Sequence, residues 1–145
     1  MAETHPKFDV ALVTPEGETF RGEAEMLIVP GAAGEIGVLA RHAPLVATLK
    51  AGSTRIYRDR ATEDVLEFAT GPGFFKVELD RALALVDDAV SVKEIDDARA
   101  RGQLEAAQAE LAKLEAGEST ADRWQLEQRI KHAENQLSVS GRTTG

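Results

Sequence analysis

The chain contains no cysteine. Disulfides, cysteine-ligated zinc and thiol catalysis are thereby excluded, and the composition fits a reducing compartment. Cations are also scarce, with 17 Lys and Arg against 25 Asp and Glu and a net charge of −8. That balance argues against nucleic acid or an anionic membrane surface as a direct partner, because both attract basic proteins. No apolar run approaches the roughly 18 residues that a membrane-spanning helix requires. Met1 to Lys7 has no apolar core, so no secretory signal is expected. The three histidines, His5, His42 and His132, lie in unrelated segments without metal-ligand spacing. Neither a metal nor a cofactor is expected.

What the chain does contain is globular: 43% apolar and 29% charged residues over 145 positions, enough for one domain or a small domain with an appendage. Its character changes near residue 90. Before that point short apolar runs recur between glycines and prolines. Phe8, Val10 and Leu12 alternate with Asp9 and Ala11, and Thr14-Pro15-Glu16-Gly17 reads as a turn. Further strands are predicted at Thr19 to Gly22, Met26 to Val29, Val38 to Leu39, Val46 to Leu49, Thr54 to Tyr57 and Val65 to Ala69. Phe74 to Leu79 and Ala82 to Val86 flank Asp80-Arg81, a two-residue hairpin turn. Short strands at this spacing, with no helical run between them, predict an antiparallel β-sandwich or barrel over residues 1–90.

From Ser91 the pattern is helical. Ser91-Val92-Lys93-Glu94 has the form of a capping box, in which serine meets the N3 amide and glutamate reaches back. Leu104, Ala107, Leu111 and Leu114 fall on one helix face, and Glu115-Ala116-Gly117-Glu118 breaks the run. Ser119 through Asp122 offers a second cap, after which Leu126, Ile130, Ala133 and Leu137 form another stripe. A helical hairpin over residues 91–140 is expected, with a small polar, flexible tail at 141–145. Its stripes are narrow and partly alanine. At about 1.5–3 kcal/mol per buried leucine, against about 1–2 kcal/mol per ordered residue, the hairpin is marginal alone.

The stretch from Pro30 to Leu45 stands out. Gly31, Gly34 and Gly37 recur at every third position among Glu35, Ile36, Val38 and Leu39, and a His42-Ala43-Pro44 tripeptide follows. We read it as a contact surface, since conformationally special segments on rigid scaffolds often carry function. Glu35 and His42 are seven residues apart, with neither a nucleophile nor an orienting third group, so catalysis is not expected. The glycine spacing is similar to that of phosphate loops but lacks the Lys-Ser/Thr pair opening a helix. Asp96 and Arg99 lie in the first turns of a helix, where a carboxylate near the N-terminus is ordinary. Phe74 and Phe75 are adjacent in a strand, so one must face a second sheet, the hairpin or another subunit.

Together these segments resemble the epsilon subunit of bacterial F-type ATP synthases. The likeness rests on Thr14-Pro15-Glu16-Gly17, Phe20-x-Gly22-x-Ala24-Glu25, Pro30-Gly31-x-x-Gly34-Glu35-x-Gly37-Val38-Leu39 and His42-Ala43-Pro44-Leu45. Gly73-Phe74, Ile95-Asp96-x-x-Arg99-Ala100 and Leu137-Ser138-Val139 extend it in the family's order. The resemblance implies a sandwich of about ten strands and a helical hairpin. It further implies a non-catalytic central-stalk subunit that couples c-ring rotation to ATP synthesis. The gamma subunit and the c-ring would then be its partners, met through Gly31, Gly34, Glu35, Ile36, Gly37, Val38, Leu39 and His42. The extended hairpin would reach the catalytic alpha and beta subunits and inhibit ATP hydrolysis. Membrane association would be indirect, on the cytoplasmic side of the bacterial inner membrane. Ile95, Asp96, Arg99 and Ala100 match the nucleotide motif of some relatives. The family often has proline where Ala40 stands. The acidic residue that ATP-binding relatives place five positions before the motif is Val90 here, and their second-helix arginines correspond to His132 and Gln136. ATP binding is accordingly expected to be weak or absent. The alternative is an independent small-ligand or nucleotide-sensing regulatory module, which would not copurify with a stalk.

Overall fold

The computed structural model describes residues 5–144, with side chains for residues 5–141. The chain divides into two compact units, Met1–Ser91 and Val92–Gly145.

In the first unit, alternation in Phe8–Thr14 (β1) and Arg81–Val86 (β9) sends Phe8, Val10 and Leu12 and Ala82, Ala84 and Val86 to one side. Phe75 and Val77 of β8 (Gly73–Glu78) join them, as do Leu27 and Val29 of β3 (Met26–Gly31). The remaining strands are β2 (Gly17–Ala24), β4 (Gly34–Leu39), β5 (Leu45–Leu49), β6 (Gly52–Asp59), β7 (Asp64–Thr70) and β10 (Ala89–Ser91). The ten strands run in the order β10-β7-β6-β3-β5-β8-β9-β1-β2, and β4 pairs with β3 off that path. The expected sandwich is thus present. All its pairings are antiparallel except β1 with β9, which run parallel from Asp9↔Arg81 to Val13↔Leu85. Parallel neighbours need a long connection, and here everything from β2 to β8 lies between them.

Strand β3 is where the path bends. Along Met26–Ile28 it pairs with β6, and at Gly31 it pairs with β5. Pro30, which has no amide hydrogen, sits at the changeover, and its carbonyl accepts from Lys50 N at 2.9 Å. Near the opposite end of β3, Glu25 is buried. Its Oε1 accepts from Arg60 N at 2.7 Å and lies 3.4 Å from His5 Nδ1, holding the β6–β7 turn.

Several local expectations shift. Strand β4 spans Gly34–Leu39 rather than Val38 to Leu39 alone, because the whole segment finds a partner in β3. The β8–β9 turn is Leu79-Asp80, one residue earlier than expected. Both turn residues have positive φ, 52° and 56°, the form of a type I′ hairpin turn. Two tertiary bonds fix that register: Arg41 N donates to Asp80 Oδ1 at 2.5 Å, and Asp9 N donates to the Asp80 carbonyl at 2.9 Å. Ser91 is not a helix cap. It ends β10 opposite Phe68 and is followed by a 3₁₀ turn, Val92–Glu94.

In the second unit, α1 (Asp97–Glu115) is capped by Asp96, whose side chain accepts from Arg99 N at 3.1 Å. It ends in a Schellman turn: Gly117, at φ 78°, donates to the Leu114 carbonyl, and Glu118 N donates to the Lys113 carbonyl. Helix α2 (Arg123–Thr144) is capped by Asp122, which accepts from Trp124 N at 2.9 Å. Ser119 instead donates to Glu110 Oε1 at 2.6 Å. The two helices pack against each other, and their buried apolar residues are Ala100 and Ala107 on α1 and Leu126, Ala133 and Val139 on α2. Ser140 Oγ bonds Asp97 Oδ1 at 2.7 Å, so the start of α1 lies beside the end of α2. The helical backbone continues through residues 141–144, the segment expected as a tail; Gly145 lies outside the described residues.

Phe75 is fully buried whereas Phe74 is 63% exposed, the opposite-face arrangement that adjacent strand residues require. Phe75→Ala should therefore cost about 3–5 kcal/mol in urea denaturation. Phe74→Thr should stay within about 0.5 kcal/mol. Equal losses at the two positions would contradict this division of faces.

Candidate functional site

The β3–β4 hairpin supplies most of the expected contact residues. Its turn is Ala32-Ala33, with Gly31 opposite Gly34 and Pro30 opposite Glu35. Two of the three glycines are demanded by the backbone. A Cβ on Gly31 would come within 2.6 Å of the Gly34 carbonyl oxygen, and Gly34 has φ 142°. Gly37 has open space around it and leaves bare backbone on the outer face.

The alternation of β4 sorts the rest. Glu35, Gly37 and Leu39 are exposed on one face, whereas Val38 is fully buried and Ile36 packs half-buried against the core. Val38 and Ile36 therefore serve as scaffold. Glu35 does not stand free: its carboxylate pairs with Arg55 of β6 at 2.9 Å, reaching across β3. Arg55 was not singled out from the sequence. Only the pairing Ile28↔Arg55 beside Ile28↔Gly37 places it near Glu35.

His42 lies elsewhere. From Glu35, β4 runs away from the hairpin turn for four residues, about 13 Å at ~3.3 Å each, before Leu39 pairs with Met26 at the start of β3. The His42 ring donates Nδ1–H to the Ala43 carbonyl at 2.6 Å, since a carbonyl oxygen can only accept, and its Nε2 remains for another contact. Its neighbour Arg41, at φ 65°, is tied to Asp80. Glu35 and His42 thus occupy opposite ends of the hairpin, and the structure does not bring them together. The surface has two ends rather than one.

The expected nucleotide motif has a local explanation. Asp96 is the α1 cap, Ala100 is buried with its amide bonded to the Asp96 carbonyl at 2.9 Å, and the Arg99 side chain is exposed. His132 and Gln136 are half-buried on α2, eight and four residues before Ser140. At ~1.5 Å rise per residue, that sets them about 12 and 6 Å along the helix from Ser140. Among the described residues no group of three His, Cys, Asp or Glu is placed to hold a metal ion.

This architecture matches a known class of protein. The beta-sandwich domain model of the ATP synthase delta/epsilon chain matches residues 7–92, the span of the strands. The ATP synthase epsilon chain of Halalkalibacterium halodurans is 35% identical over 137 residues, covering 94% of this chain and 99% of that one. That of Laribacter hongkongensis is 40% identical over 112 residues, covering 77% and 79%. A chain of the Euglena gracilis mitochondrial ATP synthase superimposes with a TM-score of 0.68 at 18% identity, covering 99% of this chain and 85% of that one. A chain from the Tetrahymena thermophila mitochondrial ATP synthase gives 0.56 at 16% identity, covering 99% and 100%. At those identities the structural likeness speaks for the fold. The chain belongs to the delta/epsilon chain family of ATP synthases. Within it, relatives along nearly the whole length are epsilon chains.

The sorting of β4 yields a stability test. Ile36→Ala should cost about 1–2 kcal/mol, below the range for a fully buried isoleucine. Glu35→Ala should lose no more than about 1 kcal/mol with its exposed ion pair. Chemical denaturation of the two single variants decides it, and a Glu35→Ala loss as large as that of Ile36→Ala would assign Glu35 to the scaffold.

Proposed function

We propose that the chain is a non-catalytic subunit of the central stalk of a bacterial F-type ATP synthase, coupling c-ring rotation to ATP synthesis. The observation that carries this reading is the 35% identity to an epsilon chain across 94% of the sequence. Its partners are the gamma subunit and the c-ring. The exposed β4 face, with Glu35 held by Arg55 beside the bare backbone of Gly37, is the surface offered to the rotor. At the other end of the hairpin, His42 presents Nε2 as a second polar contact. The subunit is peripheral, on the cytoplasmic side of the inner membrane, and no described helix is long and apolar enough to cross a membrane.

The hairpin is a separate regulatory unit that restrains ATP hydrolysis when extended. Its support is the division of the chain at Ser91 and Val92 and the independent capping of each helix. An independent nucleotide sensor finds less support, because the Asp96 carboxylate is engaged as a helix cap.

Copurification tests the main reading: the tagged wild-type chain should bring down gamma and the c-ring. Glu35→Ala should weaken capture of the c-ring while retaining gamma. Recovery of neither partner by the wild type would end the stalk reading. Truncation after Ser91 should leave a folded, assembly-competent sandwich with unrestrained hydrolysis. If that truncated chain fails to fold or to support ATP synthesis, the two-unit organisation is wrong. Calorimetry at pH 7.5 should detect no micromolar ATP binding. Asp96→Ala should instead remove a cap and cost the hairpin about 0.5–2 kcal/mol, read as lost helicity on heating.

A further inference from the structure

Across β4, β3, β6 and β7 the register sets Gly37, Ile28, Arg55 and Glu67 side by side in one row on the outer face. Glu35 lies two residues along β4 from Gly37 and so belongs to the same face. Two strand spacings of ~4.8 Å and two residues of ~3.3 Å put its Cα about 12 Å from that of Arg55. The bond from Arg55 Nη2 to Glu35 Oε2 at 2.9 Å closes that span, with both side chains reaching over the strand that carries Ile28.

The two ends of this pair are not equivalent. The Arg55 side chain is 32% exposed and that of Glu35 61%, so the arginine is the held end and the glutamate the presented one. On the other side of Arg55 stands Glu67, its direct cross-strand neighbour. The Glu67 carboxylate is itself fixed, because its Oε2 accepts from the buried Ser53 hydroxyl at 2.5 Å. Opposite charges facing each other across antiparallel strands attract, so a fixed carboxylate backs the arginine while the arginine holds Glu35. The bond takes Glu35 Oε2, and Oε1 has no hydrogen-bond partner among the described residues. An ion pair this exposed adds little to stability. Its effect is on orientation.

We infer that Arg55 is a positioning residue for the c-ring contact: without touching the rotor, it holds the Glu35 carboxylate in one place with Oε1 outward. The inference rests on the stalk reading and on Glu35 as the presented group. Ordering a long side chain when a complex forms costs affinity, and a side chain already held has less to lose. Arg55 therefore acts on binding through Glu35 alone, which makes the two residues one unit whose losses do not add.

The test uses the full chain, with affinity measured for purified cognate gamma alone and for gamma bound to the c-ring. Arg55→Ala should weaken binding to the gamma–c-ring complex by about tenfold, as Glu35→Ala does, and leave binding to gamma alone unchanged. The double variant should bind no worse than Glu35→Ala. Exchanging the pair, Glu35→Arg with Arg55→Glu, separates positioning from mere support of the fold. It restores an ion pair across β3, so the melting temperature should return to that of the wild type. It no longer presents a carboxylate on β4, so the affinity for the c-ring should stay low. Wild-type affinity in Arg55→Ala would overturn the inference, and so would additive losses in the double variant, which would mean that Arg55 meets the rotor itself. Recovery of c-ring binding in the exchanged variant, or an equal loss of gamma binding in Arg55→Ala, would reduce Arg55 to a structural role. If the wild type binds neither gamma nor the complex, the stalk reading falls and takes this inference with it. Normal wild-type binding with weakened Glu35→Ala and indifferent Arg55→Ala removes this inference alone.

Discussion

The hydrogen-bonding obligations of β3 are the constraint on which the first unit depends. One strand must satisfy β4 along one edge, and β6 and then β5 along the other. Each buried backbone group needs a partner, so the exchange from β6 to β5 has to fall where a donor is dispensable. Pro30 meets that need, and Gly31 beside it admits the Gly34 carbonyl at a distance no side chain would tolerate. The same few atoms close the β3–β4 hairpin. The exposed β4 face is thus presented by the most constrained point of the sheet, where a partner finds it already ordered and binding has little left to immobilise.

At the opposite end a second fastening operates through Asp80. Its carboxylate holds the Arg41 amide and its carbonyl holds that of Asp9, so the β4–β5 connection, the β8–β9 turn and the start of β1 are fixed to one residue. His42 follows directly from that anchor. Three non-glycine residues with positive φ, Arg41, Leu79 and Asp80, meet there. Strain of that kind persists only where surrounding bonds over-determine it, and the two hydrogen bonds to Asp80 do so.

What was legible in the sequence follows from where each element gets its stability. Alternation in β1, β8 and β9 and the leucine and alanine stripes of the hairpin were readable because burial itself imposes those periods. The glycine-rich stretch was not readable as a strand, since β4 owes its form to pairing with β3 rather than to propensity. Ser91 looked like a cap because capping chemistry and the end of a short strand favour similar polar residues; pairing with Phe68 decided it. The early turn at Leu79-Asp80 runs against turn propensity and is fixed by long-range bonds no local pattern reports. In the candidate site, Glu35 was visible as a residue, but its partner Arg55, twenty positions away, emerges only once β3 lies between them.

The parallel pairing of β1 with β9 has a consequence for how the chain comes to be folded. A strand emerging first during synthesis must wait for one that begins at Arg81. At ~5–20 residues per second that interval lasts from a few seconds to somewhat over ten. Until it ends, β1 can pair only with β2, and Phe8, Val10 and Leu12 lack the wall that Ala82, Ala84 and Val86 later provide. An N-terminal hairpin with one open edge and an uncovered apolar face is the kind of species that chaperones bind and that associates wrongly when they do not. The topology that closes the sandwich also makes its N-terminal part dependent on the last long strand to leave the ribosome.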